Sequence, residues 1–274
     1  MFLPQLFIRM LPVSIVIITK NEADGIAACI NAARSISNDI LIIDNGSTDD
    51  TLPIALALGC TVYNEQWNGY GANKNKGIKQ ARYDWILSLD ADEIPDPELV
   101  QALHEVDLTD NNVVFDIKFR SYFGKKLIRF GVWGRDHHVR LFNRQVAKWS
   151  AHNVHERLIV PKCIKTKSLS GFVHHYSVKD TDECYQKALY YARLSALKYF
   201  ESGKKPNAFT LYMSPLFGFF VNYIILLGFL DGKSGWIIAR SIFINKWRKY
   251  QYLNKLYSVD TKKQPGEAKL IVDY

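Results

Sequence analysis

Blocks of hydrophobic residues alternate with amphipathic segments along the first third of the chain. Residues 13–19, 39–44 and 85–89 are apolar runs that end in polar residues, and 61–63 is a shorter one. Such runs are typical of strands buried on both faces of a parallel sheet. The intervening segments have helical spacing and helix-start residues: 23–34, 47–58 and 69–81. This alternation predicts an α/β fold with a doubly wound, mostly parallel sheet.

The rhythm changes after about residue 106. Segments 113–119 and 139–142 have the composition of strands but are joined by turns, which predicts a mixed sheet. Apolar residues at helical spacing predict a helix over 182–202.

These elements predict one domain over residues 1–204 and a separate helical region over 205–274. Within the domain, we expect one half at about 12–106 and a second, mixed half at about 107–204.

The helical C-terminal region contains two contrasting segments. Residues 209–230 are aromatic and uncharged but are interrupted by Pro215 and by Asn222. Residues 236–257 interleave Lys and Arg with Trp, Phe and Tyr, as in a helix that lies in a membrane interface. We therefore predict a membrane-associating region. Two questions stay open. Segment 209–230 either spans the bilayer or lies on its surface. Alternatively, neither segment meets a membrane, and both helices pack on the core with a solvated basic face.

Charge and cysteine content add to this picture. The chain has 274 residues, with 35 Lys and Arg against 27 Asp and Glu, a formal net charge of +8. A basic surface suits anionic lipid, nucleic acid or acidic substrates, so charge alone does not choose among them. The four cysteines are widely spaced, and residues 1–11 lack the features of a signal peptide. We therefore expect a reducing cytosol and no disulfide framework.

The candidate chemistry lies where the predicted parallel strands end. Asp90 and Asp92 follow the 85–89 strand, and Asp44 ends the 39–44 strand. Ligands bind at this end of open α/β sheets. Two carboxylates one residue apart suit a divalent Mg²⁺ or Mn²⁺ ion that also binds substrate phosphates. The pattern therefore predicts a metal-dependent site for a nucleoside diphosphate. The alternative is that each acidic residue caps a turn or helix, and Asp44 in particular caps a turn through Asn45-Gly46.

The motifs in this part of the chain resemble a known family. They are Thr19-Lys-Asn-Glu22, Asp44-Asn-Gly-Ser-Thr-Asp-Asp-Thr51, Asn73-Lys-Asn-Lys-Gly77 and Asp90-Ala-Asp92-Glu93. Together they resemble the inverting family 2 glycosyltransferases with the GT-A fold, most closely the bacterial lipopolysaccharide core β-1,4-glucosyltransferase group. The resemblance covers most of the chain.

The resemblance implies a role for each donor-side residue. Asp44 would accept a hydrogen bond from the base imide, Asp90 would bind near the ribose, and Asp92 would ligate the metal. Lys74 and Asn75 would face the ribose or diphosphate, although Lys74 could instead be a solvated helix residue. The nucleoside pocket would be lined by Thr19, Asn21 and Glu22.

The resemblance also implies catalytic and acceptor-side residues. Glu156 is the candidate general base that deprotonates the acceptor hydroxyl, with a surface ion pair to Arg157 as the alternative. Three further residues, Trp133, Arg140 and His155, are predicted on the acceptor side. His175 is predicted as an extra contact to the diphosphate or metal. A zinc site among the clustered histidines lacks the usual ligand spacing.

We therefore predict an enzyme that transfers a hexose from a UDP-sugar to a lipid-linked or cell-envelope glycan, such as lipopolysaccharide inner core. It would act peripherally at the cytoplasmic face of the bacterial inner membrane, on anionic lipid and without nucleic acid. Two alternatives stay open: a sugar nucleotidyltransferase, and a non-catalytic membrane-associated protein on a transferase fold.

Overall fold

The computed structural model describes residues 10–150, 157–205 and 207–260, except for the side chains of Ala208, Val259 and Asp260. These residues form two compact units. One consists of Met1–Arg120 and Asp136–His175, and the other of Ser121–Arg135 and Tyr176–Tyr274. The predicted division of the chain at residue 204 stays a prediction.

The first unit is built on the predicted sheet. Its strands are β1 Val13–Thr19, β2 Asp39–Asp44, β3 Thr61–Asn64, β4 Trp85–Asp90, β5 Glu93–Pro95, β6 Val113–Phe123, β8 His137–Asn143 and β11 Lys165–Val178, with β6 and β11 ending beyond the unit. Their order is β3-β2-β1-β4-β8-β6-β11-β5. Strands β3, β2, β1 and β4 are parallel, whereas β8 is antiparallel to both β4 and β6. The predicted parallel half and the mixed half are both present.

Helices cover the parallel strands, which is why these strands are apolar on both faces. The helices of this unit are α1 Ile26–Arg34, α2 Thr51–Ala57, α3 Tyr70–Gln80 and α4 Pro97–His104. All seven residues of β1 are buried. Ile15 and Ile17 pack on one side with Ile26 of α1, whereas Val16 packs on the other side with Ile78 of α3. Two separate apolar layers therefore sandwich the sheet.

Strand β11 is the main element that the sequence pattern did not predict. It has 14 residues and pairs antiparallel with the short β5, where His175 lies opposite Glu93. Its first residues are polar and largely exposed, so they carry no apolar run. This pairing turns part of the predicted acidic loop into a strand. A further pair, β9 Lys148–Trp149 and β10 Leu158–Ile159, forms a separate two-stranded sheet.

The second unit is mainly helical. It contains the short strand β7 Lys126–Leu127 and the helices α5 Thr181–Glu201, α6 Ala208–Phe220 and α7 Gly232–Asp260. A π-helical turn, Val221–Ile225, and a 3₁₀ turn, Gly228–Asp231, connect α6 to α7. The Asn207 side chain caps α6 by accepting a hydrogen bond from Thr210 N at 2.7 Å.

Among the residues that the structure describes, no single helix is both long enough and apolar enough to cross a bilayer. One pair meets the criteria together, Phe209–Ile225 with Gly228–Ser258, and its two parts are bent by 72°.

Candidate functional site

The strand ends bring the predicted donor-side residues to one edge of the sheet. In the parallel register, Thr19 lies opposite Asp44, and Ile18, the residue before Thr19, lies opposite Asp90. Because β1, β2 and β4 run in the same direction, their carboxyl ends meet there. Thr19, Asp44 and Asp90 therefore lie at the same edge of the sheet.

Asp90 is held between two cations. Lys74 Nζ lies 3.0 Å from Asp90 Oδ1, and Arg140 Nη2 lies 3.4 Å from Oδ2. Burial raises the pKa of Asp90, but the Lys74 ammonium and the Arg140 guanidinium outweigh it and hold the pKa well below its ordinary value. The two cations therefore favour the ionised form of Asp90 at neutral pH.

Arg140 also binds Glu93, a residue to which the resemblance gave no role. Its Nη2 donates a hydrogen bond to Glu93 Oε1, and Glu93 Oε2 accepts one from Asp90 N at 3.0 Å. The Glu93 side chain is 1% exposed. Burial raises the pKa of Glu93 by more than the Arg140 guanidinium lowers it, so the pKa lies at about 7. Arg140, predicted on the acceptor side, thus bridges Asp90 and Glu93.

Lys74 is buried, so the alternative of a solvated helix residue is wrong. Its side chain is 1% exposed, and Nζ lies 4.6 Å from the centre of the Trp149 ring. The neighbouring Asn75 binds the backbone of that tryptophan: Asn75 Nδ2 donates to Trp149 O at 2.8 Å, and Trp149 N donates to Asn75 Oδ1 at 3.1 Å. Asn75 therefore fastens α3 to β9, and its predicted donor contact stays a prediction. Nothing in the sequence spacing pointed to Trp149.

Asp92 and His175 form the outer part of the cluster. His175 Nε2 lies 3.3 Å from Asp92 Oδ2, and the Asp92 side chain is 20% exposed. Burial lowers the pKa of His175, but the hydrogen bond to Asp92 and the nearby carboxylates outweigh it and raise the pKa to about 9. The pairing of β5 with β11 produces this contact.

The acidic side chains fit a divalent metal that brings other ligands with it. Within the described ranges, no three His, Cys, Asp or Glu side chains are grouped so that they could hold a metal by themselves. Asp92 nevertheless offers a partly exposed carboxylate. Mg²⁺ is commonly held by one or two carboxylates together with substrate phosphates. Asp92 is thus suited to a metal that is bound jointly with a diphosphate.

Polar contacts join the loops after β1 and β2. Asn21 adopts a left-handed backbone conformation, with φ 55°, and its Oδ1 accepts a hydrogen bond from Thr48 N at 2.8 Å. Glu22 N donates to Thr51 Oγ1 at 2.8 Å. The two loops therefore form one connected rim of the site.

Asp44 and Thr19 lie beneath this rim. Asp44 Oδ2 accepts hydrogen bonds from Gly46 N at 2.9 Å and Ser47 N at 3.0 Å, which is the turn-capping arrangement left open as an alternative. The predicted hydrogen bond from the nucleotide's base imide to Asp44 stays a prediction. Thr19 Oγ1 is buried and has no hydrogen-bond partner among the residues that the structure describes. A ligand would satisfy this hydroxyl.

Three further residues were predicted from the sequence. Glu156, the candidate base, and His155 fall outside the described residues. Trp133 lies in the 3₁₀ turn Trp133–Arg135 of the second unit.

Comparisons with known proteins agree with this architecture. The family model described as Glycosyl transferase family 2 matches residues 14–163, which is more than half of the chain. An uncharacterized glycosyltransferase of Rickettsia prowazekii (strain Madrid E) is 29% identical over 264 residues, covering 92% of this chain and 89% of the relative. The lipopolysaccharide core biosynthesis glycosyltransferase LpsC of Rhizobium meliloti (strain 1021) is 28% identical over 259 residues, covering 88% and 93%.

A solved structure is also similar over part of the chain. It is glucosyl-3-phosphoglycerate synthase from Mycobacterium tuberculosis in complex with Mn²⁺, UDP and glucosyl-3-phosphoglycerate. The identity is 25% and the TM-score 0.33, and the match covers 41% of this chain and 44% of that one, less than half of its length.

The family match confirms the resemblance stated from the motifs, and it favours a transferase over the nucleotidyltransferase and the non-catalytic alternatives. With the parallel β3-β2-β1-β4 sheet and its acidic edge, the chain has a GT-A-like α/β fold and belongs to glycosyl transferase family 2.

Proposed function

We propose that this glycosyltransferase moves a hexose, most simply glucose, from a UDP-sugar to a hydroxyl of a lipid-linked or cell-envelope glycan, with inversion at the sugar. The observation that carries the proposal is the cluster at the end of β4, where Asp90 is neutralised by Lys74 and Arg140 while Asp92 keeps a partly exposed carboxylate. The similarity to LpsC supports an acceptor in lipopolysaccharide core.

The two aspartates of this cluster would have different tasks. Asp90 is already balanced by two cations, so it is suited to accept a hydrogen bond from a neutral ribose hydroxyl. Asp92 would hold a divalent Mg²⁺ or Mn²⁺ ion. That metal, when bound, neutralises the charge that develops on the departing nucleoside diphosphate.

Other residues would position the two substrates. The unpaired Thr19 hydroxyl and the rim formed by Asn21 and Glu22 would bind the nucleoside. Glu156 would take the proton of the acceptor hydroxyl as it attacks the anomeric carbon. Trp133 would contact the acceptor sugar through its ring.

We also propose that the enzyme works peripherally at the cytoplasmic face of a bacterial inner membrane. The support comes from the second unit, where Phe209, Leu216 and Phe217 of α6 are each more than half exposed. A large exposed apolar surface of this kind marks an interaction site.

A donor screen tests the proposed reaction. UDP-glucose, UDP-galactose, UDP-N-acetylglucosamine and GDP-mannose are each incubated with the purified protein, with and without Mn²⁺, and nucleotide release is measured. We expect metal-dependent release from a UDP-hexose, at least a hundredfold slower in Asp92→Asn. Asp110→Asn, an exposed loop aspartate, is the matched control and should behave as wild type.

Two outcomes would count against the proposal: binding of no nucleotide sugar under either condition, or full activity in Asp92→Asn. Glu156→Gln adds a second check. It should retain donor binding but lose transfer to the acceptor, because it alters only the proposed base.

A further inference from the structure

Exposed apolar side chains of the described residues are concentrated on α6, on the turns that follow it and at the start of α7. Among the described residues, twelve of the 21 exposed large hydrophobic side chains fall between Phe209 and Trp236. The exposed fractions reach 74% at Phe209, 66% at Phe217 and 58% at Ile225. We call these exposed side chains the apolar face. Its concentration in one short segment indicates a binding surface.

The charges around this apolar face fit a bilayer. Residues 209–230 contain no Asp, Glu, Lys or Arg. Exposed cations flank the segment, with Lys204 and Lys205 before it and Lys233 and Arg240 after it. An uncharged aromatic segment between exposed cations matches the hydrocarbon and anionic headgroup layers of a membrane.

The segment is bent, and its bend is fixed by buried polar groups. The two helical parts meet at 72°. The side chain of Asn222 is buried in the π-helical turn, and its Oδ1 accepts a hydrogen bond from Val132 N at 2.9 Å. Leu226 O accepts another from Gly131 N at 2.9 Å. A side chain at Gly131 would collide with Asn222, so only glycine fits there.

A second buried group fixes the far side of the bend. The Asp231 carboxylate accepts hydrogen bonds from Phe130 N at 2.9 Å and Arg129 N at 3.2 Å, and Lys126 Nζ donates to the Asp231 carbonyl. Straightening the segment would leave Asn222 and Asp231 unpaired in an apolar environment, which is unfavourable.

The two ends of the segment lie on the same side of the second unit. The Phe200 ring at the end of α5 is 4.9 Å from the Tyr257 ring near the end of α7. Leu253 and Leu256 of α7 are buried in the same cluster as Ala196 of α5. A chain that crossed the bilayer once would have to separate these ends.

We propose that the bent α6–α7 segment inserts its apolar face into one leaflet of an anionic bilayer and returns to the same side. Its dimensions agree: α6 has 13 residues, or about 20 Å of helix, whereas spanning requires about 20 continuous apolar residues. That this membrane carries a lipid-linked acceptor rests on the proposed function, whereas insertion of the apolar face does not depend on it.

The fixed bend also positions a predicted acceptor residue. The segment Arg129–Val132 donates backbone hydrogen bonds to the side chains of Asn222 and Asp231, and it leads directly into the turn that contains Trp133. Insertion of the apolar face therefore places Trp133 near the headgroup layer, where the sugar of a lipid-linked acceptor would project.

Vesicle flotation tests whether the apolar face binds membrane. Wild type is mixed with vesicles of phosphatidylcholine and phosphatidylglycerol, and Phe217→Ser is compared with Leu56→Ser. Leu56 is the matched control because it is 60% exposed on α2 of the first unit. We expect Phe217→Ser to weaken binding at least tenfold and Leu56→Ser to leave it unchanged. Equal binding of all three proteins would overturn the proposal, as would a dimer that dissociates in Phe217→Ser without any change in flotation.

Cysteine labelling in bacterial membranes distinguishes one-sided insertion from spanning. In a Cys163→Ser background, whose other cysteines are buried, single variants Ser202→Cys and Ser258→Cys mark the two ends and Leu227→Cys marks the bend. We expect an impermeant maleimide to label both ends in inverted vesicles and neither end from the periplasm, with Leu227→Cys protected from both sides. Labelling of the two ends from opposite faces, or rapid labelling of membrane-bound Leu227→Cys, would overturn the proposal.

Donor turnover without membranes separates the two proposals. Phe217→Ser should release nucleotide from the sugar donor at the wild-type rate, because its change lies on the apolar face. A wild-type protein that inserts but turns over no donor would refute the proposed function alone.

Discussion

Lys74 Nζ of α3 lies 3.0 Å from Asp90 Oδ1 at the end of β4. The contact joins α3 to the acidic edge of the sheet, and the ammonium is almost fully buried. Because Trp149 lies over the ammonium and Arg140 contacts the same carboxylate, Lys74 is part of a closed charge cluster.

Removing this cation should destabilise the fold. We expect Lys74→Met to lower the free energy of unfolding by about 2–3 kcal/mol, below the usual cost of breaking a buried pair because Arg140 still compensates Asp90. Lys76→Met, which removes a more exposed lysine of the same helix, should change it by less than about 1 kcal/mol. Urea unfolding measures both. If Lys74→Met and Lys76→Met had the same free energy of unfolding, the Lys74–Asp90 pair would not be formed.

Arg140 should matter for the donor more than for the acceptor. Arg140→Lys keeps the charge but cannot bridge Asp90 and Glu93 in the same way, so we expect UDP affinity with Mn²⁺ to fall about tenfold, or about 1.4 kcal/mol. Calorimetry measures the affinity, with the exposed Arg157→Lys as control. Unchanged UDP affinity together with a raised acceptor KM would instead support the acceptor-side prediction made from the sequence.

Asn75 provides a test of structural support against donor contact. Its two hydrogen bonds to the Trp149 backbone predict that Asn75→Ala loses about 1–3 kcal/mol of stability. Donor KM should then change less than about twofold, whereas a direct contact to the diphosphate would raise it tenfold or more. Asn254→Ala, an exposed site on α7, serves as the control in unfolding and kinetic measurements.

Gly77 allows α3 to approach the sheet closely. A Cβ atom there would lie 2.6 Å from side-chain atoms of both Ile43 and Val16. We expect Gly77→Ala to lower stability by about 1–3 kcal/mol, although alanine favours helices. Lys79→Ala, at an exposed position of the same helix, should change stability by less than about 0.5 kcal/mol. A more stable Gly77→Ala protein would contradict the tight packing.

The cysteines should differ sharply in reactivity. Burial raises the pKa of the Cys29, Cys60 and Cys184 thiols, which disfavours the reactive thiolate, whereas Cys163 is exposed. At pH 8, we expect one thiol of the native protein to react quickly with Ellman's reagent and all four to react after unfolding. Cys163→Ser should abolish the fast phase. Two or more fast thiols in the native protein would contradict the described core.

Local hydrophobic pattern was sufficient for the central strands. Residues 13–19 and 39–44 match β1 and β2 at both ends, and β4 extends one residue past the predicted 85–89. These strands are buried on both faces, so every residue contributes to the signal. The helix predicted over 23–34 begins at Ile26 instead, because Glu22 O accepts hydrogen bonds from Gly25 N and Ile26 N in a preceding turn.

Strand β11 shows where local pattern was insufficient. Its residues Val173–His175 pair with β5, about 80 positions earlier in the chain, so the signal for the strand lies in its neighbour. The same pairing brings the His175 ring within 3.3 Å of the Asp92 carboxylate, and no residue spacing within either segment indicates this contact.

The sequence by itself determined the α/β architecture, the family and the edge of the sheet where the acidic residues gather, since each depends on short apolar runs and on motifs read along the chain. Only the tertiary structure decided which cation meets which carboxylate: Lys74 with Asp90, and Arg140 with Glu93. It also decided that the aromatic segment after α5 bends, because Asn222 is bonded to a backbone group 90 residues away. Such contacts join groups that are remote in sequence, and their partners are fixed by the packing of whole elements.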